Sequence, residues 1–111
     1  MDIAVEKQGE VLIAHVMQDR IDAACAIQFK DRMREISLEG QGRVVLDLAR
    51  VAFIDSSGLG AVVAVRKALG AERPLELLGL TPTVQKVFRL TRMDSIFTIH
   101  DRWEDGLRNA V

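Results

Sequence analysis

The chain has 111 residues, of which 49% are hydrophobic and 28% are charged, and its formal net charge is −1. This balance is typical of one globular domain, so it excludes a disordered chain and predicts that residues 1–111 form a single unit. A nearly neutral chain lacks the basic footprint of direct nucleic acid binding, and no apolar run approaches the roughly 20 residues that membrane insertion needs, so we expect a cytoplasmic protein.

The first half of the chain predicts a hairpin followed by a helix. Residues 3–5 and 11–16 are short β-type runs, and Gly9 between them can adopt the positive φ of a tight turn. From Asp22 onwards the apolar residues recur at helical spacing, which predicts a helix with Asp22 as its N-cap. Its apolar face comprises Ala26, Phe29, Met33 and Ile36, and it is expected to end at Gly40 and Gly42.

The second half alternates between strand and helix patterns. The predicted elements are a buried strand over residues 43–48, a helix over 59–69, a strand over 75–78, a helix that opens at Thr81 and Pro82, a strand over 96–99, and a short terminal helix whose capping box joins Asp101 and Glu104. The order β-β-α-β-α-β-α-β-α describes an α/β fold, in which helices pack against one mixed β-sheet.

Residues 55–60 are the most informative segment. The hydrophobic residues 51–54 deliver a carboxylate and two hydroxyls to the start of a helix, where unpaired backbone N–H groups and the macrodipole favour negative charge. Gly58 and Gly60 allow close backbone approach and leave the serines unshielded. The simplest interpretation makes Ser57 an ordinary N-cap and Ser56 a bystander.

Two chemical interpretations of this loop fit the sequence poorly. A dinucleotide site would need a small residue at position 63 after Gly58 and Gly60, and Val63 stands there. A serine hydrolase would need a base beside its nucleophile, yet the only histidines are His15, within a predicted strand, and His100, near the end of the chain. His15 also has no metal-spaced cluster around it. We therefore expect no enzyme activity, no cofactor and no metal.

A further interpretation makes one of the serines a phosphoacceptor. Phosphorylation would add a charge of about −1.5 to −2 beside Asp55, and the helix N-terminus could hold that charge without refolding. A partner surface that fits the neutral loop would then be repelled by the phosphate dianion. Because about 1.4 kcal/mol changes affinity tenfold, one local modification can abolish binding. This interpretation predicts a protein–protein switch.

Residues 53–60 closely resemble the phosphorylation loop of bacterial anti-sigma factor antagonists, which are STAS domains. The likeness extends to the strand residues 44–48 and to residues 83–91, so it implies one STAS domain over residues 1–111. Carried over by position, the phosphoacceptor is Ser56, with Ser57 as a cap-like neighbour and backup acceptor. Asp22 matches the family's aspartate before the first helix. The implied partner-binding loop comprises Asp22, Asp55, Ser56, Ser57, Gly58, Leu59 and Gly60.

The resemblance also implies the partners. In this family the unphosphorylated antagonist binds an anti-sigma factor that is also an ATP-dependent serine kinase, and this binding frees the sigma factor. The kinase then phosphorylates the antagonist and releases it. A PP2C-type phosphatase restores the unphosphorylated state. From the net charge and the lack of a long apolar run, we expect no direct contact with nucleic acid and no membrane insertion.

One segment departs from the family pattern. These antagonists usually carry Gly-Glu before the hydrophobic-Asp pair, where this chain has Asp19, Arg20, Ile21 and Asp22. The rim of the partner surface is therefore expected to differ. The chief alternative function is a stand-alone STAS subunit docked on a membrane transporter. A third is an enzyme that acts through Ser56 or Ser57.

Overall fold

The computed structural model describes residues 1–103, which fold around a mixed five-stranded sheet. The elements are β1 (Ile3–Gln8), β2 (Val11–Val16), β3 (Arg20–Ile21), α1 (Ala26–Ser37), β4 (Val44–Asp47), β5 (Phe53–Ile54), α2 (Ser56–Leu69), β6 (Leu75–Leu78), α3 (Pro82–Leu90), a 3-10 turn (Met93–Ser95) and β7 (Thr98–His100). The strand order is β1-β2-β4-β6-β7, with β1 antiparallel to β2 and the other neighbours parallel. The predicted α/β class and mixed sheet are confirmed.

The hairpin at the start of the chain forms as the sequence predicts. β1 and β2 pair from Ile3 opposite Val16 to Gln8 opposite Val11. Gly9 has a φ of 62°, the left-handed conformation that a two-residue turn needs and that side chains disfavour. The hairpin adds one antiparallel edge strand to a sheet that is otherwise parallel.

The central strand β4 explains where the core lies. Val44, Val45 and Leu46 are all fully buried, because the sheet carries apolar side chains on both of its faces. The larger cluster joins the helices to one face of the sheet through residues such as Phe29 and Phe88. The smaller cluster on alternate strand positions comprises Val11, Ile13, Val45 and Leu78, with Trp103 packed against it.

Three predicted elements begin more than one residue away from where they were expected, and one of them is helix α2, which begins at Ser56 and not at residue 59. Helix α1 begins at Ala26 rather than near Asp22, and its N-cap, Cys25, makes no side-chain cap hydrogen bond. The reason is a turn in which Asp22 Oδ1 accepts a hydrogen bond from the Ala24 N–H at 3.1 Å, so Asp22 caps this turn and not the helix. The last strand begins at Thr98, after the 3-10 turn, and not at residue 96. The predicted terminal helix at Glu104 lies outside the described residues.

A second, two-stranded sheet was not predicted. β3 and β5 pair in parallel, with Arg20 opposite Phe53 and Ile21 opposite Ile54. Ile21 and Ile54 are buried in the main core, whereas Arg20 and Phe53 face outward. This small sheet holds the loop before α1 beside the start of α2.

Candidate functional site

Asp55 defines the start of helix α2. Its backbone is extended, with φ −101° and ψ −176°, and its Oδ1 accepts a hydrogen bond from the Gly58 N–H at 2.8 Å. This is the geometry of an N-cap, which satisfies one of the donors that a helix start leaves unpaired. The interpretation of Ser57 as the cap was therefore wrong. Ser57 is already the second residue of the helix, so it cannot be the residue that precedes and caps it.

Ser56 and Ser57 are the first two residues of α2, and both are exposed. Within residues 1–103 neither hydroxyl is engaged in a hydrogen bond. Their place in the first turn puts both hydroxyls at the positive end of the helix macrodipole. The two serines are thus accessible side chains on a rigid element rather than parts of a flexible loop.

The two glycines of the loop differ in their surroundings. A Cβ on Gly58 would lie 2.0 Å from the backbone oxygen of Ile21, so the helix start touches the backbone of β3. A Cβ on Gly60 would meet nothing within 4 Å. The expected close approach therefore exists at Gly58 and was wrong for Gly60. Leu59, between them, is half-buried and packs against the core.

Asp22 lies beside this site through the backbone of its own turn. The N–H of Ala23 donates to Asp55 Oδ2 at 3.1 Å, while Asp22 Oδ1 holds the next residue, Ala24. The structure thus brings the Asp22 turn against the α2 start, as predicted. Asp22 is joined to the site by the turn that it stabilises.

The hydrogen bonds to Asp55 also fix its charge. The bond from the Gly58 N–H, with smaller contributions from the N–H groups of Ala23 and Ser57, lowers the pKa of Asp55 below its ordinary value despite the opposing effect of burial. The carboxylate therefore stays ionised beside the two hydroxyls. A phosphate added to this helix start would stand next to a carboxylate that is ionised at neutral pH.

Arg20 is a member of this site that the sequence reasoning did not assign. Its Nε donates to Asp22 Oδ2 at 2.9 Å, and its guanidinium carbon lies 4.6 Å from the centroid of the Phe53 ring. The only feature of the sequence that points to Arg20 is the departure of residues 19–22 from the family pattern. The strand pairing that places Arg20 over Phe53 cannot be read from two-residue strands.

Both histidines are engaged elsewhere. His15 lies between Glu6 and Asp47, and the Nε2 of His100 lies 2.8 Å from Glu76 Oε1. Neither imidazole bonds a loop serine, so within residues 1–103 no loop serine is paired with a histidine base. Residues 1–103 also contain no group of three or more His, Cys, Asp or Glu side chains that could hold a metal ion.

Fold and site together define a small α/β domain that presents a serine pair at a capped helix start. The profile of the STAS domain family matches residues 2–106. The chain belongs to the STAS domain family, as the sequence predicted. No helix in residues 1–103 is long and apolar enough to cross a membrane.

Several similar proteins are described as anti-sigma factor antagonists. A Bordetella bronchiseptica protein named as anti-sigma factor antagonist BtrV is 35% identical over 100 residues, which cover 89% of this chain and 85% of that protein. An anti-sigma factor antagonist from Mycobacterium paratuberculosis superposes with a TM-score of 0.84 at 24% identity, covering 97% of this chain and 92% of that one. The anti-sigma factor antagonist SpoIIAA of Bacillus, in its unphosphorylated form, gives 0.69 at 23% identity, with 88% and 87% covered. The two structural likenesses establish the fold.

Proposed function

We propose that this chain is an anti-sigma factor antagonist whose partner binding is switched off by phosphorylation of Ser56. The observation that carries the proposal is an exposed serine at the first position of α2, directly after a charged N-cap. The names of the similar proteins support it, because BtrV is named for the same role. SpoIIAA, which shares the fold, has been solved in both unphosphorylated and phosphorylated forms.

The chemistry of the helix start supports a switch that acts without refolding. A phosphate on Ser56 brings about −1.5 to −2 charges to a position where helix N–H groups and the macrodipole stabilise an anion. The neighbouring Asp55 is already ionised, so the modified surface carries a concentrated negative charge. A partner surface that fits the neutral hydroxyl must then desolvate that charge or is repelled by it, and both effects weaken binding.

In this function the chain is a binding partner and a phosphorylation substrate and carries out no catalysis itself. Its partners are an anti-sigma factor with serine kinase activity and a PP2C-type phosphatase, and it acts in the cytoplasm as one domain over residues 1–111. Asp22 and residues 55–60 form the contact loop. Ser57 is the backup acceptor, because it is also exposed and occupies the next helical position.

The test measures both the modification and its effect. The anti-sigma factors with serine kinase activity from the same organism are expressed singly and incubated with the chain and ATP, and phosphate incorporation is followed by intact mass and peptide mapping. We expect one phosphate, lost in Ser56→Ala and retained in the matched control Ser57→Ala.

Binding is then measured by calorimetry. Ser56→Ala is expected to bind the anti-sigma factor like the wild type, whereas Ser56→Asp binds at least about tenfold more weakly. Equal binding by the two variants would contradict the switch. Co-purification with a transporter and with no anti-sigma factor would favour the transporter-subunit alternative instead.

A further inference from the structure

Arg20 and Phe53 form an exposed pair next to the serine loop. They are opposite each other in the register of β3 and β5, and both face away from the core. The Arg20 side chain is 55% exposed and Phe53 is 41% exposed. Each strand runs directly into a part of the site, β3 into the Asp22 turn and β5 into Asp55. The pair therefore belongs to the same surface as Ser56.

The guanidinium of Arg20 is held in place before any partner arrives. It lies over the Phe53 ring at 4.6 Å, and its Nε donates to Asp22 Oδ2. Within residues 1–103 its two terminal nitrogens donate no hydrogen bond, and the bond to Asp22 is made by Nε alone. A planar group fixed on one edge and unpaired on the other is suited to a bidentate contact with a carboxylate or phosphate. Its side-chain entropy is already partly lost, which lowers the cost of binding.

The charges around Arg20 distinguish between these two anions. Three carboxylates, those of Asp19, Asp22 and Asp55, lie within the two segments that β3 and β5 bring together. The net formal charge of these three carboxylates and Arg20 is negative. A phosphodiester chain or a phosphate dianion would therefore meet net repulsion at this surface. A protein partner avoids this repulsion by offering basic groups to the carboxylates and a single acidic group to Arg20. Charge complementarity therefore favours a protein carboxylate.

The chemistry of the pair also suits a binding anchor. Arginine and aromatic side chains are enriched among the residues that dominate interface energies. A partner that covers Phe53 removes its exposed ring from water and desolvates the Arg20 contact at the same time. Both residues are placed by backbone pairing rather than by a mobile loop, which gives the contact a defined direction.

We propose that Arg20, seated on Phe53, is a specificity-determining contact that receives an Asp or Glu side chain of the anti-sigma factor. The inference rests on the proposed function and adds the charge of the partner at one position. It also assigns a role to the departure at residues 19–22. A cation at this rim selects partners with an acidic residue opposite and rejects those with a basic one.

The test is a charge swap with the anti-sigma factor that binds the wild-type chain. Arg20→Glu is expected to weaken binding by at least about 30-fold, since breaking a desolvated charge pair and leaving like charges opposed is costly. The matched control is Lys7→Glu, a charge reversal at an exposed residue at the far end of the hairpin, opposite Leu12. It should bind like the wild type. Circular dichroism and urea unfolding check that all variants fold.

The second half of the test reverses each acidic surface residue of the anti-sigma factor in turn. One Asp→Arg or Glu→Arg variant of the anti-sigma factor should bind the wild-type chain weakly. The same variant should bind the Arg20→Glu chain with an affinity at least about tenfold higher. No binding by the wild-type chain would overturn the proposed function itself. If the wild-type chain binds and Arg20→Glu binds equally well, only this inference is overturned. The same holds if no variant of the anti-sigma factor restores binding by Arg20→Glu. If Arg20→Ala changes binding only when Ser56 is phosphorylated, Arg20 contacts the phosphate. That result would also overturn this inference.

Discussion

The carboxylate of Asp55 accepts a hydrogen bond from the backbone N–H of Ala23, which lies 32 positions earlier in the chain, at 3.1 Å. The same carboxylate caps helix α2 through Gly58. One side chain thus joins the turn before α1 to the start of α2. The relative position of Asp22 and Ser56, on which a partner surface would depend, is fixed by this bond together with the pairing of β3 and β5.

Asp55→Ala is expected to lower the stability of the fold and to loosen the contact between the two segments. The pKa of Asp55 is lowered in the folded chain, so its contribution is fully present above the ordinary Asp pKa of about 3.9 and is lost as the pH falls through the folded value. In urea unfolding, the wild-type advantage should therefore be larger at neutral pH than at an acid pH well below about 3.9. Ser57→Ala is the control, because Ser57 is not the cap. An equal difference at both pH values would contradict this prediction.

Gly58→Ala and Gly60→Ala should change stability in opposite directions. A Cβ added at Gly58 would overlap the Ile21 oxygen at 2.0 Å, and relieving such an overlap typically costs about 1–3 kcal/mol. At Gly60 the space is open, and replacing glycine within a helix gains up to about 1 kcal/mol. The midpoint of urea unfolding measures both. A harmless Gly58→Ala would show that the contact between α2 and β3 can relax.

Patterns that act within one element could be predicted from the sequence. The buried strand β4 is visible as an apolar run, and the start of α3 is visible as Thr81 followed by Pro82. The serine loop is visible because a carboxylate, two hydroxyls and a glycine follow a hydrophobic segment. These signals depend on neighbours in the chain, so no tertiary information is required.

Features that depend on residues far apart in the chain could not be predicted. β3 and β5 have only two residues each, which is too short for a recognisable alternation, yet they place Arg20 over Phe53. Asp22 has the residue type of an N-cap, but its turn places the helix start at Ala26. The choice of Asp55 over Ser57 as the cap depends on backbone angles that the residue types alone leave open.

Arg43→Met should destabilise the fold, because Glu76 is only 6% exposed and would lose its main partner. Arg43 donates to both oxygens of Glu76, from Nε at 2.7 Å and from Nη2 at 2.5 Å. Leaving a buried carboxylate partly unpaired costs about 1–3 kcal/mol. The double variant with Glu76→Leu should recover part of that loss, since an apolar pair no longer buries a charge. Thermal or urea unfolding of the three chains tests this, and a double variant less stable than Arg43→Met alone would contradict it.

His15 should make stability fall as the pH rises above neutrality. Its Nδ1 lies 2.6 Å from Asp47 Oδ2 and its Nε2 lies 2.8 Å from Glu6 Oε1. A neutral imidazole donates one hydrogen bond, and only the protonated ring donates both. Burial alone would lower the pKa of His15, but the hydrogen bonds to Glu6 and Asp47 outweigh it and raise the pKa. The stabilisation is therefore fully present below the ordinary His pKa of about 6.5 and is lost as the pH rises through the folded value.

The measurement compares wild type with His15→Gln by urea unfolding at about pH 6 and about pH 8.5, below and above the ordinary His pKa of about 6.5. The stability difference between the two chains should be larger at the lower pH. Glu6→Gln is the matched control, because it removes one carboxylate and keeps the imidazole, so an NMR titration of His15 should then show a lower pKa. A stability difference that is the same at both pH values would mean that His15 has the same pKa in the folded and unfolded chains, so that Glu6 and Asp47 do not stabilise its protonated form.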